Sequence, residues 1–152
     1  GIGGNQIHSF VGADKANVEQ LRCVIHLFGS GYIGLDLPGF ARAGVPTGWP
    51  DIPWAISPST PADAAAPNPN MGHCVAVVGY DQQWIYCVTW GRLKTMSWEF
   101  FERYAEEVYA VLSTDWVATD AKCPTGFDTA MLERDLALVH AQPAVPAANP
   151  GR

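Results

Sequence analysis

The chain has 152 residues, 48% apolar and 16% charged, so it suits one folded domain with a sizeable core rather than a disordered segment. A formal charge of −6 and a pI near 5.0 speak against nucleic acid or an anionic membrane as a partner. No run approaches the roughly 18 apolar residues of a membrane span, and no basic stretch leading into an apolar one marks a signal peptide.

The opening "GIGGNQIHSFVGADKA" reads like the interior of a domain and begins at Gly1 rather than Met, as in a processed product or part of something longer. Asn17 then has the character of a helix N-cap, with Gln20 placed for a capping box. Val18, Leu21, Val24, Ile25 and Phe28 keep helical spacing, and Gly29 supplies a stop. In "GYIGLDLP" (31–38) Tyr32, Gly34 and Asp36 alternate with Ile33, Leu35 and Leu37, which predicts a strand with one buried face closed by Pro38.

Residues 39–71 are rich in Pro, Ala, Gly and Asp, a loop far longer than usual. Trp49 and Trp54, set beside prolines, predict a first half packed on the domain; the second half offers few apolar anchors and is expected to be mobile. Strands are predicted at 73–80 and 84–90, joined at Asp81-Gln82-Gln83. The first is apolar on both faces and therefore central in a sheet. "RLKTM" forms a further strand, Ser97 caps the helix "WEFFERYAEE" with Glu99 in its first turn, and "VYAVLS" (108–113) is again a strand. The pattern of "TGFDTAMLERDLALVH" predicts a last helix capped by Asp128 and burying Met131, Leu132, Leu136 and Val139. Residues 142–152 form a tail with no means of packing.

Chemistry-bearing residues are sparse. The cysteines (Cys23, Cys74, Cys87, Cys123) show no CxxC spacing, and three sit among apolar neighbours, where a thiol behaves as a small hydrophobe. With no clear disulfide framework and no signal peptide, a reducing, cytoplasmic setting is expected. The histidines (His8, His26, His73, His140) are scattered, so no metal site is expected, and no cofactor either: "GSGYIG" precedes a strand and reads as a turn, not a phosphate loop. His73 follows Gly72 at the start of a strand, and the antiparallel return brings Thr89 and Trp90 beside it. A lone histidine there is commonly structural, yet rigid mounting is also what a general base needs.

"GHCVAVVGYDQQWIYCVTWG" resembles the papain-like cysteine peptidases, whose second catalytic segment runs roughly Gly-His-Ala-Val-x-x-Val-Gly-Tyr and continues to Asn-Ser-Trp-Gly. The following "RLKTMSWEFFERYAEEVYAVL" looks like the C39-type branch, and "NVEQLRCVIHLFGSGYIGLDLP" is similar to the helix and strand preceding the histidine there. The resemblance covers about residues 16–113. It implies that His73 is the catalytic histidine, that Thr89 stands where the family has Asn or Asp, and that Trp90 and Gly91 match its Trp-Gly, the tryptophan shielding the histidine's partner. It also implies a nucleophilic cysteine and an oxyanion glutamine upstream of Asn17, where this sequence has no cysteine. Cys23 lies on or near the buried stripe of its helix, Cys74 points away from His73, Cys87 lies inside a strand, and Cys123 falls in a late, exposed loop; none is placed as the nucleophile.

The expected fold is α+β, an antiparallel sheet of four or five strands with a helix before it, one inserted and one C-terminal. It corresponds to part of a papain-like domain over residues 1–141, with the 39–71 loop inserted. Three functions follow: a catalytically incomplete relative serving as a binding or structural module, the C-terminal part of an active cysteine hydrolase whose nucleophile lies on an upstream segment or another chain, or a component of a larger assembly such as a virion. The site residues are His73 and Thr89, lined by Gly72 and Trp90. A protein partner, a missing N-terminal segment or a second copy is expected to cover an apolar surface that includes His73, Trp90, Val18, Leu21 and Ile25.

Overall fold

The computed structural model describes residues 6–42 and 52–113, together with 130, 131 and 134. Its centre is a six-stranded sheet, antiparallel throughout, formed by β1 (Ile7–Ala13), β2 (Gly31–Asp36), β3 (Gly72–Tyr80), β4 (Trp84–Thr89), β5 (Arg92–Ser97) and β6 (Ala105–Ser113) in the order β1-β6-β2-β3-β4-β5. Helix α1 (Val18–Phe28) joins β1 to β2, the short α2 (Gly39–Arg42) follows β2, and α3 (Trp98–Tyr104) joins β5 to β6. The fold is α+β. One strand more than expected is present: β1 precedes α1, so the helix does not stand before the sheet but is inserted in it.

α1 forms as its sequence predicts. The Asn17 side chain accepts the amides of Glu19 and Gln20, and Gly29 ends the helix at φ 70°. Gln20 does not close a reciprocal box on Asn17; its Oε1 accepts the Asp14 amide at 2.7 Å, tying the end of β1 to the helix start. Leu21 and Ile25 pack with Ile33, Leu35, Val75, Val77, Ile85, Met96 and Val108 from the sheet and Phe100, Phe101 and Tyr104 from α3 in one buried cluster. Both helices therefore cover the same face. The expectation that Leu21 and Ile25 lie open to a partner is corrected, since they are 1% and 6% exposed; Val18 is half-buried against the same core.

The register identifies the opposite face. Gly12, Tyr109, Tyr32, Ala76, Val88 and Leu93 lie in one row across all six strands, and Phe10, Tyr32, Val88 and Leu93 in that layer are exposed. β3 is central, as predicted, but among the described residues only one of its apolar faces is packed.

Three further expectations change. The 98–107 segment is helical only to Tyr104, because Ala105 and Glu107 pair with Leu35 and Gly34 of β2. The second half of the 39–71 loop, expected to be mobile, is anchored: Ala65 is buried, its carbonyl accepts the Tyr104 hydroxyl at 2.7 Å, and a 3-10 turn over Pro69–Met71 leads into β3. Met131, expected in the core, is 53% exposed. Trp49, Cys123, Asp128, Leu132, Leu136, Val139 and the 142–152 tail lie outside the described residues.

Candidate functional site

His73 is the second residue of β3 and pairs with Leu35, so its side chain shares the covered face with Val75 and Val77, at the margin of the core. The neighbouring strand ends at Thr89, which is buried, and Thr89 Oγ1 lies 2.6 Å from His73 Nε2. Each group can donate or accept, and the tautomer protonated on Nε2 donates to the threonine and places the basic lone pair on Nδ1.

Trp90 and Gly91 are the two residues linking β4 to β5, since Thr89 pairs with Arg92. Both have positive φ, 46° and 74°, the pattern of a tight two-residue hairpin turn whose twist matches the strands. Glycine takes that conformation freely; a tryptophan does so at a cost of about 1 kcal/mol or more and needs support from its surroundings. The imidazole supplies part of that support. The rings of Trp90 and His73 stack with centroids 4.2 Å apart and planes 19° apart.

Beneath this pair lies Trp54. It is buried and stacks on Phe100 at 5.5 Å, with its plane at 85° to both His73 and Trp90. Trp54 and Phe100 were not predicted as part of the site: Trp54 falls in the long loop and Phe100 on a helix face that only reads as core. The exposed side of His73 opens into a cleft of about 180 Å³ lined by Leu37, Asn70, Met71, Gly72 and Trp90. Gly72 meets no steric demand here, since a Cβ at that position has nothing within 4 Å. A second depression of about 310 Å³ shares Gly72 and His73 and carries Asp36, Glu106 and Glu107. Lys15 pairs with Glu106 at its rim.

The described thiols lie elsewhere. Cys23 is exposed on α1, correcting its expected place near the buried stripe. Cys74 pairs with Gly34 in the row of Glu107, on the face opposite His73; burial and then the Glu107 charge hold its thiol above the ordinary range. Cys87 shares the covered face but is fully enclosed, and burial pushes its thiol to about 12 despite the opposing influence of Lys94. A protonated thiol is a poor nucleophile. Among the described residues no group of three or more His, Cys, Asp or Glu side chains is arranged to hold a metal ion.

The chain can thus present an oriented imidazole at the mouth of a cleft, with a hydroxyl behind one nitrogen and an indole over its face. No protein-family model, curated protein or solved structure matches it.

Proposed function

We propose that the chain carries the histidine half of a papain-like cysteine hydrolase site, with His73 as general base, Thr89 as its orienting partner and Trp90 as its cover. The thiol comes from an upstream segment or from another chain. The observation that carries this reading is the 2.6 Å contact between His73 Nε2 and Thr89 Oγ1, formed between neighbouring strands and capped by the Trp90 ring. With Nε2 committed to Thr89, Nδ1 takes the thiol proton and the thiolate adds to the substrate carbonyl. The imidazolium then returns the proton to the leaving group, and His73 activates the water that cleaves the acyl-thiol bond.

The second reading, a catalytically incomplete module that binds through the same cleft, draws support from two observations. A threonine hydroxyl stands where an amide or carboxylate is the stronger orienter, and Cys23, Cys74 and Cys87 are unsuited as partners for His73.

Labelling of the native protein, with any segment or chain that accompanies it, by an epoxide or iodoacetamide probe separates the two. The expected result is one fast-labelling cysteine, distinct from Cys23, Cys74 and Cys87, whose rate falls by about 10²–10⁴-fold in His73→Ala. It falls less in Thr89→Val and is kept or raised in Thr89→Asn. Labelling that follows exposure alone and ignores His73 overturns the hydrolase reading and favours the binding module.

A further inference from the structure

We infer that Trp54, carried in by the long segment between β2 and β3, is a positioning residue that fixes the plane of the His73–Trp90 stack; the inference rests on His73 being the working group of the site. Trp54 is held from several directions. Its amide donates to the Thr95 carbonyl at 2.9 Å and its carbonyl accepts the Ser97 amide at 2.8 Å, so the backbone is bridged to β5 beside Met96. Its indole N–H donates to the Ala41 carbonyl at 3.3 Å, and its ring lies flat on Phe100. At 3% exposure it cannot turn without opening the core.

The stack it meets is less enclosed, held by Thr89 at His73 Nε2 and open to solvent at Trp90. Trp90 is 42% exposed, sits on a hairpin tip and has a backbone conformation that its side chain disfavours. His73 is half-buried and turns about two side-chain torsions. Trp54 is perpendicular to both rings, 6.2 Å from the imidazole and 5.8 Å from the indole. Turning either stacked ring would drive it against a surface that cannot yield, so the fixed ring passes its orientation to both. A buried tryptophan that merely fills volume would be replaceable by another apolar side chain without effect on the stack.

NMR of the imidazole reads this directly in the whole chain. The His73 ring protons should be displaced upfield by the Trp90 ring. Trp54→Leu, which keeps an apolar side chain, should lose most of that displacement, and Trp54→Phe should restore it. In the native protein, His73-dependent thiol labelling should fall in Trp54→Leu by up to roughly 10²-fold, the scale of a misplacement near 1 Å. A folded Trp54→Leu protein with the displacement intact overturns the inference. A measurement on the unmodified chain covers the case in which that variant does not fold: the Trp54 and His73 ring protons should show the through-space NMR contacts of perpendicular rings with centroids 6.2 Å apart, and their absence overturns the inference equally. An intact ring signature without His73-dependent labelling sinks the hydrolase reading and leaves the positioning role standing.

Discussion

Cys87 and His73 lie on neighbouring strands and the same face of the sheet, yet their surroundings suit opposite ends. The imidazole is half-buried beside a cleft with one nitrogen against Thr89, whereas the thiol is enclosed by core side chains that disfavour its charged form. Enclosure has a consequence for stability. Unfolding returns the Cys87 thiol from about 12 to its ordinary value near 9.0, so between those values the folded chain holds a proton that the unfolded chain has released. The contribution of Cys87 is fully present below about pH 9 and declines by about 1.4 kcal/mol per pH unit as pH rises towards 12. Cys87→Val removes this component while keeping an apolar side chain of similar size. Urea melts from about pH 8 to pH 11 should show a shallower alkaline decline in the variant. Parallel slopes would mean that the thiol is more accessible than its enclosure implies. At neutral pH the same surroundings predict an order of alkylation: Cys23 first, Cys74 more slowly, and Cys87 only on unfolding.

At the scale of elements, the seating of α1 on the sheet depends on Gly31. A Cβ built there would lie 2.8 Å from Val24 Cγ1, and Val24 is itself buried on the helix. Gly31→Ala should push α1 outward and cost about 1–3 kcal/mol, measurable by chemical denaturation. A neutral result would show that the helix can slide on the sheet. The contrast with α1's own ends is instructive about what was legible. Asn17, the apolar spacing and Gly29 are local signals, and the structure follows each of them. Local signals fail where a distant strand decides. Ala105 to Glu107 have the composition of a helix end but join β6, because β2 offers them backbone partners. β1 went unread because its partner, β6, lies far along the chain, and "IHSFVGA" is only weakly alternating. The meeting of His73, Thr89 and Trp90 was legible because a short hairpin sets its own register. Trp54 was legible as packed on the domain, as its burial shows, but not as a neighbour of His73, because that place depends on a backbone bridge to β5 that no spacing announces.

Among the described residues the two faces of the whole sheet are unequally covered, and the asymmetry makes a quantitative prediction. On the covered face, Phe100 and Phe101 are fully buried among residues from α1, α3 and the sheet, so Phe101→Ala should cost about 3–5 kcal/mol through lost burial and the cavity it leaves. On the other face, Phe10 is 67% exposed and meets the Tyr109 ring edge-on at 5.9 Å, while Ile7, Tyr32 and Val111 border the same groove of about 430 Å³. Phe10 has little burial to lose, and its aromatic contact contributes about 0.5–1.5 kcal/mol. Threonine suits a strand, so Phe10→Thr should cost no more than about 1.5 kcal/mol. Urea denaturation of both variants, at more than one protein concentration, tests the pair. If Phe10→Thr costs as much as Phe101→Ala, this face is covered in solution as fully as the other. A cost that grows with protein concentration would assign the cover to a second copy, since only an association responds to mass action. A cost independent of concentration would assign it to the chain itself. If the two variants differ by several kcal/mol as expected, α1, α3 and the segment carrying Trp54 supply packing that holds the fold on the face that carries His73.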